Sequence, residues 1–387
     1  MEDLQNRLSY RLHIAFCGIL YYNGKKGSDT MKTEKKVTFA DIAAFTGFSK
    51  TTVSRYFNDP DSLTEENQAK IADALEKLNY KENKLAKVLA NGKTEIVGVI
   101  IPNLYLHYYS DILGRLIGTY EKFGYKFIVF SGNDDPEAEK NYITELLSYN
   151  IEGLIVLSHT IPSEQLCKLD IPLVTIERED RHVFSVNTDN YMGGVQAASL
   201  LVKSGCDIVI HFNSEITEDV PAYGRIKGFK EFCESNGIDH RVVLKDAGNT
   251  FEENSAVIQS FFDDLEKQYP DKKIGVFMSN DTHANILLNI IFRKYGKLPS
   301  RFCIIGFDDS PVSREAIIPL STIGQQVDVM ASSAMELLLM QINERRKRVP
   351  EKLTPVHRII TPVLVKRETA YPDRANNKQT KRGCKKG

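Results

Sequence analysis

The chain has 387 residues, with 50 Lys and Arg against 51 Asp and Glu, so its formal net charge is −1. Hydrophobic residues make up 42% and charged residues 26%, which is typical of a globular protein and excludes disordered and collagen-like classes. The longest apolar run near the start, from His13 to Tyr22, is about half as long as a bilayer span, so we expect no membrane segment. At roughly 100–200 residues per domain, the length predicts two or three domains.

The cysteines and the common catalytic motifs also limit the function. The six cysteines lie tens of residues apart, so no pair has the spacing of a zinc site or a CxxC redox site. We therefore expect reduced thiols, a cytoplasmic location, and neither a metal nor a cofactor. The sequence contains no P-loop, no GxGxxG after a strand, no HExxH and no GxSxG, which argues against an enzyme.

The two ends of the chain show no apolar periodicity. Residues 1–35 include a linker-like stretch, Gly24 to Thr30, that precedes Met31. We expect residues 1–35 to be an N-terminal extension that is either not translated, with Met31 as the true start, or disordered. Residues 371–387 are polar and basic, which predicts a loose tail.

Residues 36–82 carry three short helical patterns and no strand pattern. Capping residues mark their ends: Thr38, Ser49 and Thr64 begin the three helices, and Gly47 ends the first. Three helices with a tight turn between the first two are typical of a helix-turn-helix unit, whose second helix enters the major groove of DNA. The exposed face of that helix would carry Lys50, Thr51, Ser54 and Arg55. Lysine and arginine reach guanine acceptors, so the pattern favours DNA binding over the alternative, a small helical cap with a solvated face.

Residues 83–94 connect this unit to the rest of the chain. The stretch from Asn83 to Asn91 contains helix-compatible residues but is too short to hold a helix alone. One interpretation is that two such segments of a dimer pack together on DNA and insert a leucine into the minor groove. The other is a linker helix packed on the larger domain, and the residues by themselves favour this second interpretation.

From Glu95 onward, short β-branched runs alternate with helical stretches. Continuous apolar strands between helices predict parallel sheets covered on both faces, and about eight such units over roughly 270 residues predict two lobes. The predicted strands are 96–101, 127–130, 154–157, 173–176, 208–210, 242–244, 274–278 and 303–306. Polar residues follow several of these strands, at the edge where such folds bind ligands. They suit a hydroxylated small molecule.

Motifs along nearly the whole chain point to one family. In the first part they are Val37 to Ala43, Gly47 to Asn58 with the string TVSR, Leu78-Asn79-Tyr80, Asn83 and Leu89-Ala90. In the remainder they are Gly98 to Pro102, Asn187 to Asn190 with Gly193-Gly194, Arg225 with Gly228-Phe229, Asn280-Asp281, Gly306 to Asp309, Ser321 to Ile323 with Gln325, and Val365 to Thr369. Together these motifs resemble the lac repressor and galactose repressor family. Only the ends, before about Lys35 and after about Pro372, fall outside the resemblance.

The resemblance implies a fold and its division into parts. An all-α helix-turn-helix headpiece would span 36–82, a hinge helix and linker 83–94, and an α/β two-lobed core like a periplasmic binding protein 95–370. The core would contain two parallel doubly wound sheets. Its first lobe would span about 95–187 and 325–352, and its second lobe about 188–322 and 353–370.

The resemblance also implies a role for individual residues. Base contacts fall on Lys50, Thr51 and Arg55. Phosphate contacts fall on Thr38, Ser49, Thr52, Ser54 and Asn58. The hinge and its minor-groove wedge fall on Asn83, Ala86 and Leu89. Effector contacts fall on Arg225, Asn280, Asp281, Asp308 and Gln325.

Three departures from the family pattern matter. Glu82 stands where a proline commonly precedes the hinge asparagine, which adds a negative charge near DNA. The common Asn-Pro-Phe-Phe run is replaced by Leu106 to Tyr109, and we add Tyr109 as an effector-contacting candidate that could instead line a subunit contact. Residues 374–387 hold no counterpart of the leucine-rich tetramer helix, which predicts a homodimer.

We therefore expect a cytoplasmic, ligand-responsive regulator that binds a palindromic operator in double-stranded DNA as a homodimer. It would repress genes for carbohydrate uptake or breakdown, respond to a sugar or sugar phosphate between the lobes, and have no enzymatic activity. Two alternatives remain. An exported sugar receptor would need a cleavable signal and would have no use for residues 38–58. An α/β enzyme would need a nucleophile, an acid/base pair or a phosphate loop.

Overall fold

The computed structural model of the chain describes residues 37–80, 93–132, 135–178 and 180–371. The chain divides into two compact units, Met1–Ala86 and Lys87–Gly387. The hinge residues Asn83, Ala86 and Leu89 lie outside the described residues, as do the expected N-terminal extension and nearly all of the basic tail.

The first unit is helical, as the sequence predicts. It contains α1 (Phe39–Thr46), α2 (Lys50–Asn58), a 3-10 turn (Pro60–Ser62) and α3 (Glu65–Lys77). The Asp41 carboxylate accepts hydrogen bonds from the backbone N–H and the hydroxyl of Thr38, at 2.8 and 2.7 Å, and so closes the start of α1. Gly47 ends α1 with a φ of 77°, in the left-handed region that favours glycine. The centre of the unit consists of side chains with no exposed surface: Ile42, Val53, Ile71 and Ala74.

The second unit alternates strands and helices. Its strands in chain order are β1 (Ile96–Ile101), β2 (Lys126–Ser131), β3 (Gly153–Val156), β4 (Leu173–Ile176), β5 (Phe184–Thr188), β6 (Ile208–Asn213), β7 (His240–Leu244), β8 (Ile274–Met278), β9 (Phe302–Asp308), β10 (Ser321–Gly324), β11 (His357–Ile360) and β12 (Val363–Val365). Its helices are α4 (His107–Gly118), α5 (Tyr120–Phe123), α6 (Pro136–Ser148), α7 (Ser163–Leu166), α8 (Asn190–Lys203), α9 (Tyr223–Ser235), α10 (Phe251–Gln268), α11 (Asp281–Tyr295), α12 (Pro311–Glu315) and α13 (Val327–Arg345).

These strands form two sheets, one in each lobe. Within the described residues, the first sheet has the order β11-β5-β4-β3-β1-β2 and the second the order β12-β10-β9-β8-β6-β7. Neighbouring strands are parallel except β12, which is antiparallel to β10. The central strands are buried on both faces because helices cover both sides, as the continuous apolar runs predict. No helix in the described part of the chain is long and apolar enough to cross a membrane.

The described chain passes between the lobes after β5, after β10 and after β11. Two glutamine side chains connect these crossings. Gln325 Oε1 accepts a hydrogen bond from the Thr188 hydroxyl at 2.7 Å, and Gln326 Nε2 donates to the carbonyl oxygen of Thr361 at 2.6 Å. The three crossings therefore form one hydrogen-bonded hinge, not three independent linkers.

The structure corrects one lobe boundary and adds strands. The sequence placed residues 353–370 in the second lobe, but β11 pairs with β5 of the first sheet, with His357 opposite Ser185. The last crossing is therefore at residues 361 and 362, and only β12 of that segment joins the second sheet. The eight predicted strands are present, whereas β5, β10, β11 and β12 were missed because they are short or rich in Ser, Thr and other polar residues.

Close packing of α8 against α9 positions residues that line part of the cleft between the lobes. A Cβ atom on Gly228 would lie 2.0 Å from the carbonyl oxygen of Tyr191, and one on Gly194 would lie 2.2 Å from that of Arg225. Only glycine permits two helix backbones to approach so closely. The approach brings Arg225 of α9 next to Asn190 at the start of α8.

Candidate functional site

The residues predicted to read bases lie on exposed positions of α2. Val53 has no exposed surface and anchors this helix, whereas Lys50, Thr51 and Arg55 are exposed. Because residues four apart in a helix share a face, Thr51 and Arg55 project together. The headpiece therefore offers a rigid helix with cationic and hydroxyl groups on its outer face, which suits entry into a major groove.

The side chains predicted to contact phosphates also stabilise the helix ends. Ser49 Oγ accepts a hydrogen bond from the backbone N–H of Thr52 at 3.0 Å and caps α2. The Asn58 amide donates to the carbonyl and hydroxyl oxygens of Ser54, at 3.1 and 3.2 Å. The Thr38 hydroxyl is held by Asp41 at the start of α1. These local bonds set the positions of the side chains, and their contacts with phosphates stay a prediction.

A buried arginine lies between the two lobes of the second unit. Arg225 is 8% exposed; its Nε donates to Asn190 Oδ1 at 2.6 Å, and its Nη1 donates to the carbonyl oxygen of Ser279 at 2.8 Å. The guanidinium lies 3.6 Å from the centroid of the Phe307 ring, a cation–π contact. Ser279 follows β8 and Phe307 lies in β9, so the guanidinium is fixed at the carboxyl edge of the second sheet.

The first lobe provides a carboxylate opposite this arginine. Glu177 follows β4 and is 8% exposed, and its Oε2 lies 3.7 Å from Nη2 of Arg225. The same oxygen accepts a hydrogen bond from Asn190 Nδ2 at 3.1 Å, and Oε1 accepts one from the backbone N–H of Thr188. The backbone of Glu177 has a φ of 53°, an uncommon value for a residue other than glycine. This conformation, held by bonds to the first crossing, directs the carboxylate to the second lobe.

Asp308 adds a second buried carboxylate at the end of β9. It is 6% exposed, and its Oδ1 accepts a hydrogen bond from Gln325 Nε2 at 2.6 Å. Burial raises the pKa of Asp308 to about 7, although the charge of Arg225 and the bond from Gln325 act in the opposite direction. Its neighbour Asp309 points elsewhere and pairs with Arg367 at 2.5 Å. Gln325 therefore joins the cleft to the hinge, because its amide bonds both Asp308 and the first crossing.

A tyrosine hydroxyl of α4 completes this cluster. Tyr108 is 7% exposed, and its hydroxyl is buried with no hydrogen-bond partner among the described residues. Burial and the negative charges of Glu177 and Asp308 raise its pKa well above the ordinary value. The sequence selected the neighbouring Tyr109, whose ring packs against Tyr108 with centroids 5.3 Å apart and against the first-lobe core. The structure brings Tyr108 to the carboxylates, and an effector contact of Tyr109 stays a prediction.

Two other residues that were predicted to contact the effector form hydrogen bonds to protein groups within the second lobe. Asn280 caps α11, and its Oδ1 accepts a hydrogen bond from the backbone N–H of His283 at 2.8 Å. Asp281 has no exposed surface, and its carboxylate accepts hydrogen bonds from the Thr322 hydroxyl at 2.6 Å and from the backbone N–H of Ser310 at 2.8 Å. These bonds join α11 to β10 and to the start of α12. Asp281 therefore has a structural role, and the effector contacts of Asn280 and Asp281 stay predictions.

Further contacts join the lobes outside this cluster. His107 Nδ1 of α4 lies 3.0 Å from the Thr282 hydroxyl of α11, and Arg181 lies 3.4 Å from Asp219. The lobes thus also meet through polar contacts outside the cluster.

The cluster between the lobes has the chemistry of a binding site. Carboxylates accept hydrogen bonds from ligand hydroxyls, and the guanidinium and the tyrosine hydroxyl donate them. Among the described residues no group of three or more His, Cys, Asp and Glu side chains could hold a metal ion. The predicted effector contacts did not include Tyr108, Glu177 or Asn190. Glu177 lies in a polar stretch that follows the predicted strand 173–176, which was the available signal, whereas the strand before Asn190 was not predicted.

Comparisons of sequence identify the chain's relatives. A family model described as bacterial regulatory proteins, lacI family, matches residues 38–83, and a model described as a periplasmic binding protein-like domain matches residues 198–369. The sucrose operon repressor of Streptococcus mutans is 29% identical over 311 residues, which cover 79% of this chain and 92% of that protein. The ribose operon repressor of Bacillus subtilis is 28% identical over 315 residues, which cover 78% of this chain and 90% of that protein.

Solved structures share the fold. A lac repressor dimer bound to operator and the anti-inducer ONPF superimposes with a TM-score of 0.70 at 21% identity, over 87% of this chain and 100% of that chain. A complex of the transcriptional regulator CelR with cellobiose gives a TM-score of 0.59 at 21% identity, over 86% of this chain and 100% of that chain. These likenesses confirm the predicted architecture of a helical headpiece and a two-lobed α/β core.

Proposed function

Because the chain belongs to the lacI family of bacterial regulatory proteins, we propose that it is a sequence-specific transcriptional repressor of genes for carbohydrate uptake or breakdown. The observation that carries this proposal is the buried polar cluster between two hinged lobes, in a chain whose first unit is a helix-turn-helix. The named sugar operon repressors among its relatives support the carbohydrate class. We further propose a cytoplasmic protein without a cofactor and without enzymatic activity.

On DNA, the proposed assembly is a homodimer on a palindromic operator. Two copies of α2 would occupy successive major grooves, one in each half-site. Lys50, Thr51 and Arg55 would contact base edges, and the hydroxyl and amide side chains at the helix ends would contact phosphates. The hinge residues Asn83, Ala86 and Leu89 would meet at the dyad, with Leu89 as the wedge in the minor groove.

Control by an effector would act through the two lobes. A ligand that binds more tightly to one arrangement of the lobes shifts the population toward that arrangement. Arg225, Glu177, Asp308 and Tyr108 come from both lobes, so a ligand that contacts all four stabilises one lobe arrangement. A coupling of about 1–3 kcal/mol between effector and operator is typical of such systems.

The first experiment is selection of binding sites from random duplex DNA by the full-length protein. We expect the selection to enrich a palindrome with a flexible base step at its centre. Footprinting of that site should then show protection that a sugar either strengthens or abolishes. Affinity should fall steeply with salt concentration, because several phosphates are neutralised. If no sequence is enriched at moderate salt, the headpiece does not read DNA and the proposal fails.

Two variants sharpen this experiment. Arg55→Ala should reduce affinity for the selected operator by about 5–150-fold, since a lost base contact costs about 1–3 kcal/mol. Leu89→Ala should lose specific affinity while nonspecific binding persists, because the wedge acts only on a kinked site. The matched control is Lys230→Ala, which removes one exposed cation from α9 and should leave operator binding unchanged. Equal effects of Arg55→Ala and Lys230→Ala would contradict the assignment of α2 as the reading helix.

A further inference from the structure

Buried carboxyl groups surround the Tyr108 hydroxyl in the cleft between the lobes. Glu177 and Asp308 are 8% and 6% exposed, and both raise the pKa of that hydroxyl. Asp111 of α4 also acts electrostatically on Asp308. The positive charge of Arg225 opposes their effect on the pKa of both Asp308 and Tyr108.

The positive charge of Arg225 is already compensated by protein groups. Its Nη2 lies 3.7 Å from the Glu177 carboxylate, while Nε and Nη1 donate to Asn190 and to the carbonyl oxygen of Ser279. One face of the guanidinium is covered by the Phe307 ring. A second guanidinium at the carboxyl edge of the first sheet, that of Arg178, is 1% exposed and donates to the carbonyl oxygens of Ser158 and Ile161.

A further carboxylate lies at the same edge of the first sheet. Glu139 of α6 has no exposed surface; its Oε2 bonds to the Thr160 hydroxyl, and its Oε1 is buried without a hydrogen-bond partner among the described residues. The position is close to Gly132, which follows β2. Glu139 Oε1 and the Tyr108 hydroxyl therefore lack partners among the described residues; the carboxylate oxygen needs a donor, and the hydroxyl can donate and accept.

These groups suit one class of ligand and oppose another. A sugar hydroxyl donates to a carboxylate and accepts from a guanidinium or a phenol at the same time. A phosphate group carries about −1.5 to −2 charges near neutral pH and offers mostly acceptor oxygens. It would be repelled by the Glu177 carboxylate, which already compensates the charge of Arg225 in this poorly solvated site.

We propose that the effector is an uncharged polyhydroxylated molecule, an unphosphorylated sugar, and that Glu177 is the residue that excludes phosphorylated sugars. This inference rests on the proposed function, because it concerns the same cleft. The sequence predicts either a sugar or a sugar phosphate as the effector, and this inference retains only the sugar.

The test is calorimetric titration of the full-length protein with matched pairs of sugars. The pairs are glucose and glucose 6-phosphate, fructose and fructose 6-phosphate, and ribose and ribose 5-phosphate, with sucrose and cellobiose as further neutral probes and inorganic phosphate as the anion control. We expect a neutral sugar to bind, and to bind at least about tenfold more tightly than its phosphate ester, a difference of about 1.4 kcal/mol. A phosphate ester that binds more tightly than its parent sugar overturns the inference, and so does failure of every neutral probe.

Glu177→Gln tests the residue. It keeps the size of the side chain and removes its charge, so affinity for the phosphate ester of the bound sugar should rise at least about tenfold relative to affinity for the sugar itself. The matched control is Glu164→Gln, an exposed first-lobe carboxylate that pairs with Lys168 and should leave the ratio unchanged. An unchanged ratio in Glu177→Gln, in a variant that still unfolds cooperatively and still binds the parent sugar, overturns the role of Glu177.

Operator binding by the same preparations separates this inference from the function on which it rests. If a phosphate ester binds more tightly than its parent sugar and changes operator affinity, the repressor function stands and the neutral-ligand inference fails. If the protein selects no operator, the proposed function fails, whatever the titrations give.

Discussion

The Arg225→Ala variant tests whether the charge cluster between the lobes is a structural unit. The substitution removes the bonds to Asn190 and Ser279, the pairing with Glu177 and the contact with the Phe307 ring. It leaves the Glu177 carboxylate, which is 8% exposed in the parent protein, without its cation. Breaking a buried pair by removing one partner costs about 3–5 kcal/mol, mainly because the remaining charge stays buried.

Equilibrium unfolding in urea measures this cost. We expect the free energy of unfolding of Arg225→Ala to fall by about 3–5 kcal/mol. In the double variant Arg225→Ala with Glu177→Gln, the loss should be smaller than the sum of the single losses by about 1–3 kcal/mol, because the amide needs no cation. Response to a sugar should be lost in both variants.

The control for Arg225→Ala is Lys230→Ala in the same helix. Lys230 lies 3.7 Å from Glu234, and both side chains are more than half exposed, at 56% and 52%. Exposed pairs contribute about 0–1 kcal/mol, so Lys230→Ala should change stability little. A loss below about 1 kcal/mol in Arg225→Ala, or additive losses in the double variant, would refute the idea that Arg225 and Glu177 depend on each other.

Two other predictions concern packing and pH. Gly228→Ala should unfold the second lobe or destabilise it by several kcal/mol, because the added Cβ would lie 2.0 Å from the carbonyl oxygen of Tyr191. The control Gly114→Ala, in α4 with open space around it, should instead stabilise the protein by about 0.5–1 kcal/mol. Similar circular-dichroism melting curves for the two variants would contradict the packing of α8 against α9. Asp308 has a pKa raised to about 7 in the folded state, so the folded protein binds a proton that the unfolded chain releases, and the group adds stability as pH falls from 7 to 5. Asp308→Asn removes that gain, so between pH 7 and pH 5 its free energy of unfolding in urea should fall by about 2 kcal/mol relative to that of the parent. If the two proteins show parallel pH profiles of stability, the Asp308 carboxyl is ionised throughout this interval and the prediction is wrong.

The strands show which part of the fold was predictable. β1, β8 and β9 are continuous apolar runs, so periodicity identifies them directly. β5 and β10 are equally buried but contain Ser, Thr and Asn, whose polar groups are bonded inside the protein; the Thr322 hydroxyl, for example, donates to Asp281. Those bonding partners are distant in sequence, so composition alone cannot identify such strands.

The residues of the site were likewise only partly predictable from the sequence. Asp308 and Gln325 were assigned through resemblance, and the structure brings them into contact at 2.6 Å. Tyr109 was chosen over Tyr108 because nothing in a helical pattern tells which of two adjacent tyrosines points into a cleft formed by another part of the chain. Asp281 lies next to the capping residue of α11, and only the surrounding hydrogen bonds give it a structural role.

The sequence by itself determined that this protein has a helix-turn-helix headpiece and a two-lobed α/β core, because caps, turns and apolar periods are local properties. Only the tertiary structure decided which carboxylate lies opposite Arg225 and that the second crossing joins the hinge to the cleft. Glu177, Asn190 and Ser279 come from different elements, and they meet because α8 and α9 pack through glycines and the chain passes between the lobes. The balance of charge in the cleft, and with it the class of effector we propose, is therefore a property of the folded chain.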